Sequence, residues 1–243
     1  IPGVPVSSPR RSAQAVLFDL GDTLFRLHPL ETASAFARFG ELLAERAGMN
    51  SVEAQSIARA LGDALAAHFE TLYQAGSTDE PSVAATAEPL LTRFGSEAPG
   101  LAGTLDHLLG ECDIARWDPP AGRDAQVRAF ADAGLRVAFV SNTRTPAALM
   151  RRRLQEFGLL EHAHAALFSV ELGERKPGER IYRAALEAIG VDAVDAVFVG
   201  DRMREDVRGP QDVGMRAILT HEFRREEPAG RPPDGIIGSL VEV

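Results

Sequence analysis

The chain has 243 residues, 45% of them apolar and 25% charged, which suits one globular unit with an insertion, or two modest domains, around a real core. Its net charge of −9 disfavours a non-specific grip on nucleic acid or an anionic membrane, and no apolar run approaches the length needed to span a bilayer. The single cysteine, Cys112, excludes an internal disulfide and a cysteine-rich zinc module, and fits a reducing, cytoplasmic setting.

Residues 1–12, rich in Pro, Ser and Gly and without the apolar segment of a signal peptide, read as a disordered tail. The run QAVLFD, Gln14 to Asp19, then predicts a buried strand that opens into the loop LGDT. A long tract without strand-like segments follows. Phe36, Phe39 and Leu43 mark one helix face, and Ile57, Leu61, Leu65, Phe69 and Leu72 a second. Asn50 with Glu53 resembles a capping box at the start of that second helix. Pro81, Pro89, Gly95 and the APG at 98–100 predict a looser region, and Leu101, Leu105 and Leu108 one more helix.

Past Trp117 the pattern alternates. Strands are predicted at 135–140, 165–169, 196–200, 216–220 and 235–237, with helices between them that end at Gly134, Gly158, Gly190 and Gly214. Alternation of this kind predicts a Rossmann-like α/β core, a parallel sheet with helices on both faces, built from residues 13–27 and 118–243. Residues 28–117 are then a helical insertion after the first strand.

Open α/β sheets bind ligands at the carboxyl ends of their strands. There the first predicted strand offers Asp19, Gly21, Asp22 and Thr23, and the second Ser141, Asn142 and Thr143. Lys176 follows the third, and Asp201 and Asp206 follow the fourth. Lys176 is the only lysine among 26 basic residues, and it stands between Arg175 and Pro177, just ahead of a helix. An ammonium is a compact charge with freely rotating donors, whereas a guanidinium is a broad planar fork. A lone lysine in an arginine-rich chain therefore points to a crowded anionic site.

The segments FDLGDTLF, VSNT, ELGERKPGERIY and VFVGDRMREDVRGPQDVGMRAIL resemble, in order, the four motifs of the haloacid dehalogenase superfamily. The helical tract sits where members with a helical cap carry it. The resemblance implies a hydrolase in which Asp19 is the nucleophile, attacking phosphorus to form an aspartyl-phosphate. It implies Mg2+ held by Asp19, Asp201, Asp206 and the carbonyl of Gly21. Hard oxygen donors suit that ion, and three crowded carboxylates require a cation. Phosphate oxygens would be held by Thr23, by Ser141 and by the backbone amides of Asn142 and Thr143, and Lys176 would offset their charge. The substrate implied is a small phosphorylated metabolite. Oligomeric state, a homodimer included, is left open. The cap hinge is expected near residues 26–30 and 116–120.

One position departs from the family pattern. Its phosphatases place a second Asp, the general acid, two residues after the nucleophile, and here that residue is Gly21. Asp22 is the nearest substitute and His28 a weaker one, while a loop or capping role is the plainer reading of Asp22. Three alternatives are weighed. A Schiff-base phosphonate cleavage would need a lysine in the cap, which has none. Metal-independent 2-haloacid dehalogenation does without the acid and stays open, although Asp201 and Asp206 argue for a cation. A phosphate-binding protein that has lost turnover is the third.

Overall fold

In the computed structural model the described residues are 12–27, 31–96 and 98–242, with the backbone alone for 31–35. His28 and all of the expected tail but Ser12 lie outside them.

The first strand, β1 (Ala15–Phe18), is buried along its whole length. Its side chains divide by the two-residue period of a strand. Val16 and Phe18 join an apolar cluster with Phe139, Leu149 and Leu154, whereas Ala15 and Leu17 join another with Val140, Tyr182 and Phe198. A strand buried on both faces needs helices on both sides, and the chain supplies them. On one side lie α5 (Arg123–Asp132) and α6 (Ala147–Glu156), and on the other α8 (Glu179–Ile189). Ile181, Tyr182, Ala185 and Ile189 of α8 form its buried stripe.

The sheet also contains β4 (Arg136–Ser141), β5 (Ala165–Phe168), β6 (Ala196–Gly200), β7 (Arg216–Thr220) and β8 (Gly235–Ile237). All pairs are parallel, in the order β5-β4-β1-β6-β7-β8. The chain thus runs outward from β1 through β4 to β5, then returns to the opposite side of β1 with β6. Strand order reverses there, leaving a crevice at the carboxyl ends of β1 and β6. The registers Phe18↔Phe139 and Phe18↔Val199 keep those ends level.

Between the short strands β2 (Arg26–Leu27) and β3 (Trp117–Asp118), which pair antiparallel, the described residues form four helices. They are α1 (Glu31–Ala47), α2 (Ser51–Gln74), α3 (Val83–Arg93) and α4 (Leu101–Ile114), packed around their own cluster, which includes Phe39, Leu61, Leu91 and Leu105. The expected loose region at 81–100 is thereby corrected, because α3 occupies much of it. Ser82 caps the helix by accepting from the Ala85 amide, and the buried stripe Val83, Ala87 and Leu91 carries it through Pro89. Half of the expected capping box is present on α2. Asn50 Oδ1 accepts from the amides of Val52 and Glu53, but the Glu53 carboxylate accepts instead from Ser96.

The insertion touches the core again after α2. Asp79 and Glu174 form an antiparallel bridge, the Glu80 amide donates to Gly173 O at 3.0 Å, and the Arg175 amide donates to Thr78 O at 2.6 Å. No helix among the described residues is long and apolar enough to cross a membrane.

The Asn50 cap gives a direct check on the local energetics. Asn50→Ala is expected to lower the unfolding free energy by about 1 kcal/mol and Asn50→Asp by much less, read by urea denaturation.

Candidate active site

The crevice at the ends of β1 and β6 holds a buried cluster of charge. Asp19 leaves β1 with its amide donating to Val199 O at 3.0 Å, so the main chain of β6 fixes where its side chain starts. Asp201 follows β6 directly. Asp206 lies one turn on, in a π-helical turn over Met203–Arg208 that precedes the short α9 (Gly209–Asp212), where a single regular helix is expected from the sequence. Gly200 allows this close return, because a Cβ there would stand 2.4 Å from Asp206 Cβ. Asp206 Oδ2 also accepts from the Arg202 amide at 3.0 Å.

Lys176 reaches the cluster from the loop between α7 (Ser169–Leu172) and α8. Its Nζ donates to Asp19 Oδ1 and to Asp206 Oδ1, each at 2.7 Å, with the side chain 2% exposed. Asn142 sets its position. The Lys176 amide donates to Asn142 Oδ1 at 2.7 Å, and Asn142 Nδ2 donates to Lys176 O at 3.0 Å. The tip of β4 is thus clamped to the lysine loop.

One ammonium does not neutralise three carboxylates. Burial, with Asp206 and Asp19 adding to it, pushes the Asp201 carboxyl up to about 8. Burial pushes Asp206 up to about 6, held back chiefly by Lys176. Burial also works against the charge on Lys176, but Asp19 and Asp206 outweigh it and hold the ammonium above its ordinary range. Arg224, on the segment after β7, brings Nε to 3.0 Å from Asp201 Oδ2. The N–H is not aligned with that oxygen, which is buried and accepts no hydrogen bond.

Ligand oxygens of Asp19, Asp201 and Asp206 lie within 4.8 Å of one another. Buried hard oxygens of this kind, one of them lacking a hydrogen-bond donor, fit a divalent cation of the Mg2+ type.

A cavity of about 390 Å³ opens above Asp19 and Lys176, with Gly21, Asp22, Ser141 and Asn142 also in its wall. Asp19 keeps 11% of its side chain exposed there. Two expected phosphate contacts fall elsewhere. Thr23 is wholly buried and directs its hydroxyl to Asp201 Oδ1 at 3.5 Å, which places it behind the carboxylates. The Thr143 amide is already bonded to Ser169 Oγ at 2.8 Å, and the Thr143 hydroxyl accepts from the Thr145 amide. Asp22 is occupied as well. It sits at φ 56°, in a left-handed conformation that Asp tolerates, with Oδ1 accepting from the Leu27 amide at 3.0 Å and Oδ2 3.8 Å from Arg224. One oxygen is taken by a main-chain amide and the other faces a guanidinium, so the capping role suits it better.

Several contributors are not legible in the sequence. Arg224 stands in an Arg- and Glu-rich stretch with no motif of its own. Arg175 donates to both oxygens of Glu80, and its guanidinium lies 4.6 Å from the Phe69 ring centre. Arg202 and Arg204, by contrast, follow Asp201 closely in the sequence and are expected near the site: Arg204 covers Tyr73 at 4.7 Å, while Arg202 joins the cavity wall. Phe69 continues the apolar face expected for the second helix, but it is exposed at the cavity rather than buried in the helical cluster, and nothing in the spacing of Tyr73 or Glu80 marks them.

Replacing Lys176 by Met leaves two buried carboxylates facing each other, with an expected loss of roughly 3–5 kcal/mol in unfolding free energy. Adding Asp206→Asn should recover part of that loss, and a double-mutant cycle by urea denaturation measures it.

The chain is similar to proteins of established families. Residues 13–214 match the haloacid dehalogenase-like hydrolase family. A phosphoserine phosphatase of Thermus thermophilus is 31% identical over 94% of this chain and 96% of its own length. A ribulose-1,5-bisphosphate 5-phosphatase of Halopiger xanaduensis is 27% identical over 85% of this chain and 84% of its own. A crystal structure of a 2-haloacid dehalogenase from Pseudomonas syringae superposes with a TM-score of 0.70 at 25% identity, covering 95% and 96% of the two chains. With a family match over most of its length and the family's charged cluster at the strand ends, this chain belongs to the haloacid dehalogenase-like hydrolases.

Proposed function

We propose that the protein is a Mg2+-dependent phosphatase of small phosphomonoesters that works through an aspartyl-phosphate at Asp19. The observation that carries this reading is the cluster of three buried carboxylates around one ammonium, with Asp201 Oδ2 close to the half-exposed Arg224 guanidinium but accepting no hydrogen bond. Such a site is suited to one divalent cation and one tetrahedral dianion together. The phosphatase relatives support the same choice.

In the first step an Asp19 oxygen forms a bond to phosphorus, and the bond from phosphorus to the ester oxygen breaks. The electron pair leaves on that oxygen, which then takes a proton. In the second step water attacks phosphorus, the bond to Asp19 breaks, and phosphate is released with the carboxylate restored. Lys176 holds Asp19 in place and balances charge on the phosphoryl oxygens. We take Ser141 and the backbone amide of Asn142, both in the cavity wall, as the groups of the β4 tip that contact those oxygens. Asp19, Asp201, Asp206 and the Gly21 carbonyl would hold Mg2+, which when bound supplies charge neutralisation at the phosphoryl group. We take residues 28–117 as a cap over the site, hinged at β2 and β3, and the setting as cytoplasmic.

Gly21 removes the side chain that would protonate the leaving oxygen. General acid catalysis contributes about 10²–10⁴ in rate, so alkyl phosphates are expected to turn over at least about 100-fold more slowly than aryl phosphates. Gly21→Asp should raise alkyl-phosphate turnover. Its Cβ would stand 2.9 Å from Leu27 Cδ1, the end of a flexible side chain that can turn away.

A haloacid dehalogenase is the competing reading, favoured by Gly21 and by the likeness to the Pseudomonas syringae structure. A panel of phosphate esters with and without Mg2+, beside chloride release from 2-chloropropionate, separates the two. Multiple turnover of esters in Mg2+, abolished by Asp19→Asn, is the expected result. Chloride release without metal would instead establish the dehalogenase. Mg2+ is further expected to raise the melting temperature of the wild type by several degrees and that of Asp201→Asn by much less.

A further inference from the structure

A second cavity, of about 420 Å³, lies between the helical insertion and the core. Leu27, Phe69, Trp117, Asn142 and Arg175 line both this cavity and the one above Asp19, so the two are parts of one cleft. In the rest of its wall the apolar Phe36, Leu65, Ala66 and Pro81 stand beside two threonines and the charged groups taken up below. Gly62 contributes no side chain, and the space a Cβ would need there is limited by the Phe36 ring at 3.0 Å.

The charged groups that reach this annex are partnered with one another. Arg144 donates to the two oxygens of Asp113 at 3.0 and 3.2 Å, and Arg116 stands 3.6 Å from the same carboxylate. Arg175 donates to both oxygens of Glu80 at 2.8 and 2.9 Å. A hydroxyl-rich group entering the annex would lose water and find the Asp113 and Glu80 carboxylates already engaged by guanidiniums, which is costly. An ammonium would meet three guanidiniums set against two carboxylates. An apolar group meets neither penalty and gains by leaving water.

We infer that the annex receives the organic part of the ester, and that the preferred substrates are phosphomonoesters of apolar alcohols or phenols rather than of sugars or amino acids. This rests on the phosphatase reading, and it agrees with Gly21, because a phenolate leaves without an acid.

The test is a series of phenyl, para-methylphenyl, para-ethylphenyl and para-propylphenyl phosphates in Mg2+. Leaving-group acidity hardly changes along it while apolar size grows. kcat/KM is expected to rise about threefold to fourfold per added carbon. Ala66→Trp, which fills the annex from the exposed side of α2, should flatten the series. The matching non-hydrolysable phenylphosphonates, followed by calorimetry, should show the same gain in Kd. A series flat in both turnover and binding overturns the inference. Absence of turnover on every ester, phenyl phosphate included, overturns the phosphatase reading instead, and the phosphonate series then decides the annex by itself.

Discussion

The structure turns on one ammonium bonded to two buried carboxylates while a third has no donor for one of its oxygens. Such a cluster is unfavourable by itself, since burial and like charge both oppose ionisation of Asp201 and Asp206. It is tolerated because strong local geometry determines it. β6 fixes Asp19 through its main chain, Asn142 grips the lysine loop on both sides of one residue, and the absence of a Cβ at Gly200 lets Asp206 fold back. Asp19, Lys176 and the Asp201–Asp206 pair come from three separate parts of the chain, and the reversal of strand order between β1 and β6 brings them together. The fold therefore assembles a site that no local segment could hold.

The α/β core was legible because each strand is a short apolar run bounded by turn residues, and because the helices between them end at glycine. The positions of Asp19, Ser141, Lys176, Asp201 and Asp206 followed from counting strand ends, and the lone lysine among arginines marked the crowded spot. Less was legible where partners are chosen by three-dimensional packing. Thr23 and Thr143 sit in the right motifs yet turn to Asp201 and Ser169, because a buried hydroxyl or amide takes the nearest partner available. α3 was hidden by Pro81 and Pro89, whose usual meaning as breakers is overridden by a cap and a buried stripe. Arg224 and the Glu80–Arg175 pair carry no periodic or motif signal, so only folding reveals them.

The insertion is joined to the core next to the charged cluster. Its far end is joined to the core by a bridge beside Lys176, and Phe69 and Tyr73 of α2 rest under Arg175 and Arg204. The insertion thereby contacts the residues just before Lys176 in the lysine loop. Arg175 closes the wall of the annex while its neighbour Lys176 bonds Asp19, so the two cavities meet at one dipeptide.

With no side chain at Gly21 to activate water, the second half of the reaction should lag behind the first, and the covalent enzyme should accumulate. Acid quenching of a reaction with an aryl phosphate in Mg2+, followed by peptide mass mapping, reads that species directly. The expected result is one phosphoryl group on the peptide that contains Asp19, absent from Asp19→Asn. Turnover with Asp19 unmodified at every time point, or the phosphoryl group on another residue such as Ser141, would contradict it.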